Sequence, residues 1–204
     1  MGGGANDCTL NNCIIYFNTA YYAPNPYLHA PNHWNCTLYN CCSTPDDTGA
    51  SVSENPIFAN LAAGDFHLQS NSPCINSGNN AYVATTNDLD GNPRIVGGTV
   101  DIGAYEYQNP TSIISYAWLQ QYGLPTDGSA DYADTDGTGM NNWQKWIAGL
   151  NPTNALSVLE MQVPVSTNNP AGLVVTWQSV SGIMYFLQSS TNLAGQSGEV
   201  DPIL

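Results

Sequence analysis

A nine-residue segment occurs twice near the start of the chain, and this internal repeat constrains the fold more than any other feature. Residues 7–15, DCTLNNCII, recur as residues 35–43, NCTLYNCCS, so that Cys8 corresponds to Cys36 and Leu10 to Leu38. Each copy alternates between apolar and polar residues, breaks at Asn, and alternates again, which predicts a strand, a sharp bend and a second strand. We therefore predict two stacked coils, with like residues above like and the Cys, Leu and Ile side chains inside.

Asparagine suits the predicted bend for two reasons. Asn12 of the first copy falls on Asn40 of the second. An Asn residue tolerates the left-handed backbone conformation that a sharp bend requires. Its side-chain amide can also bond to its copy in the neighbouring coil, so we expect the Asn residues of the two coils to stack at the corner.

A longer ordered series of motifs follows the repeat. It consists of ENPIF (54–58), GDFHL (64–68), SPCINSG (72–78), DLDGNPR (88–94) and VDIGAYEY (100–107). This series resembles the closing segment of bacterial right-handed parallel β-helix proteins of the pectin-lyase-like, choice-of-anchor type. The resemblance covers roughly residues 5–107 and implies a terminal coil and a cap rather than a particular chemistry. It also implies a secreted or cell-surface bacterial protein. Two coils are too few to stand alone, so we expect the chain to be the C-terminal fragment of a longer protein.

The predicted fold is mainly β, and it changes character along the chain. We predict the end of a right-handed parallel β-helix with its cap at 1–107, a linker at 108–114, a helix-loop-helix module at 115–156, a partial β-sandwich-like module at 157–194 and a disordered tail at 195–204. In the third part, apolar residues at helical spacing predict a helix over 115–123 that Pro125 ends, and a second helix over 141–150. In the fourth part, strands at 173–177 and 184–187 are predicted to form a hairpin around Ser181 and Gly182.

An acidic, Gly-rich loop between the two predicted helices resembles the calcium loops of dockerins and thrombospondin type 3 repeats. Such loops place oxygen ligands at positions 1, 3, 5, 7 and 9, a Gly at 6 and a bidentate Glu at 12. The first five ligands here are Asp134, Asp136, Thr138, the Met140 carbonyl and Asn142, and Gly139 falls on the turn. Position 12 is Lys145, which removes two ligand oxygens and adds a cation; Asp127 and Asp131 lie just upstream and can compensate. We predict Ca²⁺ binding with a Kd on the order of 0.1–1 mM. The alternative is a solvated turn without metal.

Few residues are candidates for catalysis. Asp65, His67 and Arg94 are the candidates that a polysaccharide lyase or glycosidase would use, but a structural role for Arg94, as a fork to one carboxylate that locks the cap, is favoured. The pair His29 and His33 has helical spacing, but Pro31 forbids that helix, so a zinc pair is not expected.

All six cysteines lie between Cys8 and Cys74, and four of them stack by the repeat. The repeat places Cys8 over Cys36 and Cys13 over Cys41. They are predicted to be free thiols in an inward ladder, with one disulfide as the alternative. Nothing in the sequence near them lowers a thiol pKa, so a catalytic Cys–His pair is not expected.

The charge balance restricts the partners. The chain carries 2 basic and 16 acidic residues, for a formal net charge of -14. Two cations cannot neutralise a row of phosphates, so nucleic acid is excluded as a partner, and an anionic membrane surface repels the chain. No apolar run long enough to span a membrane occurs. Cations, glycans and other surface proteins remain as partners.

Two functions from different classes fit these observations. The first is a non-catalytic structural, adhesion or glycan-binding region of a surface protein. The second is the C-terminal part of a carbohydrate-active enzyme, a polysaccharide lyase or glycoside hydrolase. Glycosidase chemistry needs two carboxyls about 5–10 Å apart, and the carboxylates of the repeat region do not recur at the coil offset; they are Asp7, Asp46, Asp47 and Glu54. The chain also lacks the G-x-S-x-G motif of a serine hydrolase. The sequence therefore favours the first function.

Overall fold

The described part of the chain is mainly strand, with two short α-helices, as the sequence predicts for a mainly β protein. The computed structural model describes residues 4–18, 20–22, 25–30, 32–45, 50–162, 165–168 and 171–185. The predicted tail at 195–204, together with Asp46 and Asp47, lies outside these residues. The chain divides into two compact units, residues Met1–Leu159 and Glu160–Leu204.

Twelve strands and two helices are present in the described ranges. The strands are β1 (Ala5–Asn6), β2 (Thr9–Asn11), β3 (Ile14–Tyr16), β4 (Ala20–Tyr22), β5 (Asn25–Ala30), β6 (His33–Trp34), β7 (Thr37–Tyr39), β8 (Cys42–Thr44), β9 (Phe58–Asn60), β10 (Asp65–Leu68), β11 (Val165–Asn168) and β12 (Ala171–Val174). The helices are α1 (Tyr116–Gln121) and α2 (Asn142–Ile147). Neither of these helices, nor any other in the described residues, has the length and apolar character needed to cross a bilayer.

The two copies of the sequence repeat pair with each other in parallel. β1 pairs with β6, β2 with β7 and β3 with β8. The register joins Ala5 to His33, Leu10 to Leu38 and Ile14 to Cys42, so the offset is the same in every pair and equals that of the sequence repeat. The offset and the parallel stacking of the repeat are thereby confirmed.

Single left-handed residues separate the short strands of each copy. Positive φ angles occur at Asp7 (52°), Asn12 (51°) and Phe17 (48°) in the first copy, and at Asn35 (50°) and Asn40 (49°) in the second. The bend at Asn12 and Asn40 is therefore as predicted, and similar bends recur at every fifth residue.

Stacking of the side chains at these bends differs from the prediction. The Asn35 side chain donates to Asp7 Oδ1 at 2.6 Å, from one repeat copy to the equivalent position of the other. The Asn12 side chain does not bond to Asn40. It accepts from the Asn79 N–H at 2.8 Å and donates to the Asn79 carbonyl at 3.0 Å instead. The reason is that residues 78–79 lie beside this bend and offer both a backbone donor and a backbone acceptor.

The β3–β8 pair is buried on both faces. One face belongs to a cluster with Ile15, Leu38 and Cys41 at its centre, against which Leu10 and Cys13 pack. The other face presents residues of the second cluster, which consists of Cys42, Val52, Leu68, Cys74, Ile75, Ile102 and Tyr116, with Ile14 packed against it. Most of this second cluster comes from residues 52–116, so the segment that resembles a closing segment covers one face of the β3–β8 pair.

Backbone hydrogen bonds fix this covering segment in place. The Gly103 N–H donates to the Asn12 carbonyl at 2.9 Å, and Ile102 N–H donates to the Cys74 carbonyl at 3.0 Å. Gly103 has a φ of 124°, and a Cβ at this position would lie 2.9 Å from Ile14 Cδ1. The Ile14 methyl group could move aside, but residues with a Cβ rarely adopt this positive φ, so a side chain at position 103 would strain the backbone where it bonds to Asn12.

Both predicted helices are present, although each is shorter than predicted. Ser115 caps α1, and a capping box between Asn141 and Gln144 begins α2. A third cluster packs them together around Ile114, Leu119 and Ala130. The predicted linker is not solvated throughout, because Ser112 and Ile114 within it are buried.

The predicted hairpin at 173–187 lies partly outside the described residues, and the start of its first strand pairs with a strand that was not predicted. β11 pairs with β12 in antiparallel register, joining Val165 to Val174 and Asn168 to Ala171. Ser181 and Gly182 do form a turn, with Gly182 at a φ of 87°. However, residues 183–185 form no strand, and 186–187 lie outside the described residues. Asn and Pro lie between β11 and β12 in the sequence, and both are turn-forming residues that the prediction did not weigh.

Candidate functional site

Asp65 and His67, two of the three catalytic candidates, lie together on β10. His67 Nδ1 is 2.5 Å from Asp65 Oδ1, and His67 Nε2 is 2.7 Å from Asp90 Oδ2. The Tyr105 ring stacks on the imidazole at a centroid distance of 4.0 Å. All three ion-pair side chains are about half exposed.

The two carboxylates favour the charged form of His67. Hydrogen bonds to Asp90 and then to Asp65 raise the pKa of His67, while the hydrogen bond with His67 lowers the pKa of Asp65. An imidazolium whose two N–H groups both donate to carboxylates has no lone pair left to accept a proton. Both ring nitrogens of His67 lie within hydrogen-bonding distance of a carboxylate, so the arrangement is an ion-paired surface cluster.

Arg94, the third candidate, is part of a different cluster. Its Nη1 donates to Glu106 Oε2 at 2.7 Å, and its Nη2 donates to the carbonyls of Gly103 and Asp101 at 2.7 and 3.2 Å. The side-chain exposed fractions are 11% for Arg94 and 0% for Glu106. This geometry is the structural fork that the sequence favoured for Arg94.

Asp101 and Glu106 form the buried acidic side of this cluster. Asp101 accepts from the N–H groups of Asn76 and Tyr107, at 2.8 and 2.6 Å, and Glu106 accepts from that of Val96 at 2.9 Å. Burial, together with the charge of Glu106, raises the pKa of Asp101 to about 7, and burial also raises the pKa of Glu106. Both carboxyls are closed to solvent, so neither is accessible to a polysaccharide.

The acidic loop between α1 and α2 is internally hydrogen-bonded. Asp134 accepts from the N–H groups of Thr138 and Gly139, at 3.1 and 2.7 Å. Asp136 Oδ1 accepts from Thr138 Oγ1 at 2.8 Å. Asn142 is fully buried; its Oδ1 accepts from Thr135 Oγ1, and its Nδ2 donates to the Ala130 carbonyl. Thr138 thus brings two other predicted ligands, Asp134 and Asp136, close to each other, whereas Asn142 bonds to Thr135 and Ala130.

Lys145 supplies a positive charge to this loop. Its Nζ donates to Asp136 Oδ2 at 2.5 Å and to the Ser157 carbonyl at 3.0 Å. The side chains of Lys145 and Asp136 are 0% and 4% exposed. Burial is the largest single influence and acts to raise the pKa of Asp136, but the hydrogen bonds from Lys145 and Thr138 and the charge of Lys145 together lower it. The ammonium group therefore lies against a carboxylate that the calcium pattern assigns to the metal.

The remaining predicted ligands serve other contacts. Asp131 is buried and accepts from Ser112 Oγ at 2.6 Å and from the Ile113 N–H at 3.0 Å. Asp127 accepts from the N–H and hydroxyl of Ser129, which lowers the pKa of Asp127. Met140 is half-buried directly before the N-cap of α2. The structure therefore uses Asp131 to fasten the 108–114 segment rather than to complete the loop.

The contacts that the loop oxygen atoms already make limit how calcium can bind. Within the described ranges, no three His, Cys, Asp or Glu side chains are grouped so as to hold a metal ion. A calcium ion at Asp134 and Asp136 has to compete with the Lys145 ammonium for one Asp136 oxygen. Calcium binding stays a prediction, with Lys145 as the group that weakens it.

An exposed row of aromatic rings lies beside the second cluster. We call Phe17, Tyr16, Phe58 and Phe66 the aromatic row. Successive rings meet edge-to-face at centroid distances of 4.7, 5.6 and 5.4 Å. Phe17 at one end is 61% exposed and Phe66 at the other is 49% exposed. The row offers apolar ring faces and edges to a ligand at the surface.

The sequence indicates His67 and Arg94 as candidates but not the carboxylates that pair with them. Asp90 and Glu106 are among the acidic residues near Arg94 in the sequence, but the sequence does not indicate that Asp90 pairs with His67 or which carboxylate pairs with Arg94. Their spacings from these partners, 23 and 12 residues, carry no periodic signal. Searches against protein-family models, curated proteins and solved structures find no match to this chain.

Proposed function

We propose that this chain is a non-catalytic, structural and glycan-binding part of an extracellular bacterial surface protein, where a right-handed parallel β-helix ends. The observation that carries the proposal is the parallel pairing of the two repeat copies at one constant offset. Regular parallel stacking of short strands, joined by single left-handed residues, is what a coil of such a solenoid needs. The segment over residues 52–116 serves as its cap.

The geometry of the catalytic candidates supports a non-catalytic role. His67 is held between Asp65 and Asp90, and Arg94 is directed into the fold toward Glu106. The alternative, the C-terminal part of a polysaccharide lyase or glycoside hydrolase, places the catalytic residues in other coils. It predicts turnover by the longer protein rather than by these residues.

Neutral glycans suit this surface better than acidic ones. Lys145 and Arg94 are the only two basic residues in the chain outside the histidines. Lys145 is fully buried, and Arg94 is almost so. A chain of net charge -14 with no exposed Lys or Arg repels uronate and sulfate groups. Aromatic faces such as those of Phe17 and Phe66 contact the apolar faces of neutral sugars without needing a cation.

The glycan proposal predicts selective loss of binding when the aromatic row is shortened. We expect the purified chain to bind neutral glycans on an array and to leave uronate-containing and sulfated glycans unbound. Phe17→Ala and Phe66→Ala should each weaken binding about fivefold, since one aromatic contact contributes roughly 1 kcal/mol. Leu156→Ala is the matched control, because Leu156 is an exposed apolar side chain outside the row. Equal effects of all three substitutions would contradict the assignment.

The same preparation tests the enzyme alternative. We expect no turnover of pectin, alginate, xylan or ester substrates by the chain. Asp65→Ala and His67→Ala are suitable probes, because both side chains are half exposed and their removal leaves the core intact. Turnover that these substitutions abolish would overturn the non-catalytic proposal.

We also propose that the helix-loop-helix is a calcium-loop-type module, like those of dockerins and thrombospondin type 3 repeats. The ordering of Asp134, Asp136 and Asn142 around one loop supports this assignment. Lys145 makes the native loop a weak calcium site because its ammonium already neutralises Asp136. Substitution of Lys145 removes the ammonium group, so that the contribution of calcium can be measured without it.

A further inference from the structure

The six cysteines of the chain are arranged in three pairs. The Sγ atoms of Cys8 and Cys36 are 3.2 Å apart. These residues directly precede Thr9 and Thr37, which pair in register on β2 and β7. The Thr37 N–H donates to the Cys8 carbonyl at 2.9 Å. This first pair therefore links equivalent positions of the two repeat copies.

Cys13 and Cys41 form the second pair, again at equivalent positions of the two copies. They precede Ile14 and Cys42, which pair in register on β3 and β8, and the Cys42 N–H donates to the Cys13 carbonyl at 2.9 Å. Both side chains belong to the cluster around Ile15 and Leu38. In-register residues on neighbouring strands are about 4.8 Å apart, which lies inside the Cα–Cα range of about 4.4–6.8 Å that a disulfide spans.

The third pair joins the repeat to the covering segment. Cys42 and Cys74 are both fully buried in the second cluster. Their thiols are hydrogen-bonded, which lowers the pKa of Cys42 and raises that of Cys74. The Ile102 N–H, donating to the Cys74 carbonyl, holds this residue against the fold.

Adjacent cysteines at 41 and 42 face opposite sides of the strand. Cys41 lies in the cluster with Ile15 and Leu38, whereas Cys42 lies in the cluster with Val52 and Cys74. Successive side chains alternate between the faces of a strand. A bond between Cys41 and Cys42 would therefore pull one of them out of its cluster. The thiol that hydrogen-bonds to Cys41 is that of Cys13, and the thiol that hydrogen-bonds to Cys42 is that of Cys74.

We propose that the six cysteines oxidise to three disulfides, Cys8–Cys36, Cys13–Cys41 and Cys42–Cys74, which join the two repeat copies to each other and to the segment that covers them. This is one of the fifteen ways to pair six cysteines. The proposal does not depend on glycan binding or on calcium.

Each bond forms by exchange with a small-molecule disulfide such as oxidised glutathione. One protein thiolate attacks the oxidant and releases one glutathione thiol, leaving a mixed disulfide. The second protein thiol loses its proton and displaces the other glutathione, so two protein thiols are oxidised as one disulfide is reduced to two thiols. A hydrogen bond with Cys41 lowers the pKa of Cys13 to about 6, which makes Cys13 the attacking thiolate of its pair.

The test is disulfide mapping of the chain after it has been reduced, unfolded and refolded in the presence of oxidised glutathione, because Cys41, Cys42 and Cys74 are fully buried once the chain has folded. We expect the intact mass to fall by about 6 Da, about 2 Da for each bond, with no thiol left to alkylate. Trypsin leaves all six cysteines on one fragment, because Arg94 and Lys145 are the only cleavage sites. Pepsin in acid avoids this and prevents further exchange; cleavage after Leu10 and Leu38 separates Cys8 from Cys13 and Cys36 from Cys41.

Cys41 and Cys42 stay on one peptic peptide, so two variants assign their partners. Cys42→Ser should leave only Cys74 free, and Cys41→Ser should leave only Cys13 free. The mapping of the parent chain decides the matter even if a variant fails to fold. Any other connectivity in the parent chain, or six thiols that still alkylate after the oxidant, would overturn the proposal.

Discussion

Replacing Lys145 with Met should lower the free energy of unfolding by about 3 kcal/mol, one of the two largest single effects that we expect in this chain. The ammonium is fully buried and bonds to Asp136 and to the Ser157 carbonyl. A Met side chain fills similar volume but leaves the Asp136 carboxylate unpaired in a nearly closed environment. Chemical denaturation with tryptophan fluorescence measures the change, since Trp143 and Trp146 lie on the same helix.

A double-mutant cycle isolates the ion pair from the packing. Asp136→Asn removes the charge that Lys145 neutralises, so Lys145→Met should cost much less in an Asp136→Asn background. If the free energy of unfolding of the Lys145→Met variant is within about 0.5 kcal/mol of that of the parent, the ion pair contributes no more than an exposed one.

Lys145→Glu tests the calcium assignment at the same position. It places a bidentate carboxylate at loop position 12 and removes the competing ammonium. If Kd becomes about 0.1 mM, then 1 mM calcium should stabilise the variant by roughly 1.4 kcal/mol, whereas the parent should respond less. For the parent and the variant, titration calorimetry of chelator-treated protein measures the Kd, and melting curves measure the stabilisation by calcium. No response from Lys145→Glu would show that the loop is not a calcium site.

Replacing Arg94 with Met should also cost about 3 kcal/mol. Arg94 neutralises Glu106, which is fully closed to solvent, and ties down the carbonyls of Asp101 and Gly103. Its loss leaves a buried carboxylate and two carbonyls without their donor, so the covering segment should loosen from β3. Hydrogen exchange at Ile102 and Gly103, whose N–H groups bond to Cys74 and Asn12, reports this opening locally.

Two controls separate charge from geometry in this cluster. Arg94→Lys keeps the positive charge but lacks the fork that reaches two carbonyls and a carboxylate, so we expect an intermediate loss. Glu106→Gln in the Arg94→Met background should recover part of the stability, because no buried charge is left unpaired. Unchanged protection at Ile102 and Gly103 in Arg94→Met would argue against the role of Arg94 as a lock.

The repeat made much of the strand region predictable. The Leu10–Leu38 register follows from like residues at a constant offset, and the bends at Asn12 and Asn40 follow from the tolerance of Asn for positive φ. Both helices follow from local signals, since Ser115 and Asn141 act as N-caps where the apolar spacing begins. These features are encoded within a few residues or by exact recurrence, so sequence alone predicts them.

What the sequence did not predict depends on contacts between distant residues. Nothing near Cys42 indicates that residues 68–116 cover it, or that Cys74 becomes its partner. The sequence before Lys145 has the composition of a solvated loop, yet the fold buries Lys145 against Asp136. The pairing of β11 with β12 was not predicted from the sequence. Each of these features depends on contacts that can be recognised only in the folded chain.

The stacking of the two repeat copies is the central claim, and NMR couplings across hydrogen bonds test it most directly. The stacking predicts a coupling from the Thr37 amide nitrogen to the Cys8 carbonyl carbon, and from the Cys42 amide nitrogen to the Cys13 carbonyl carbon. The corresponding N···O distances are both 2.9 Å. Observing these two couplings, together with one from Asn12 to Tyr39, is the result we expect. Couplings from Thr37 and Cys42 to carbonyls in any other register would contradict the parallel stacking of the two copies.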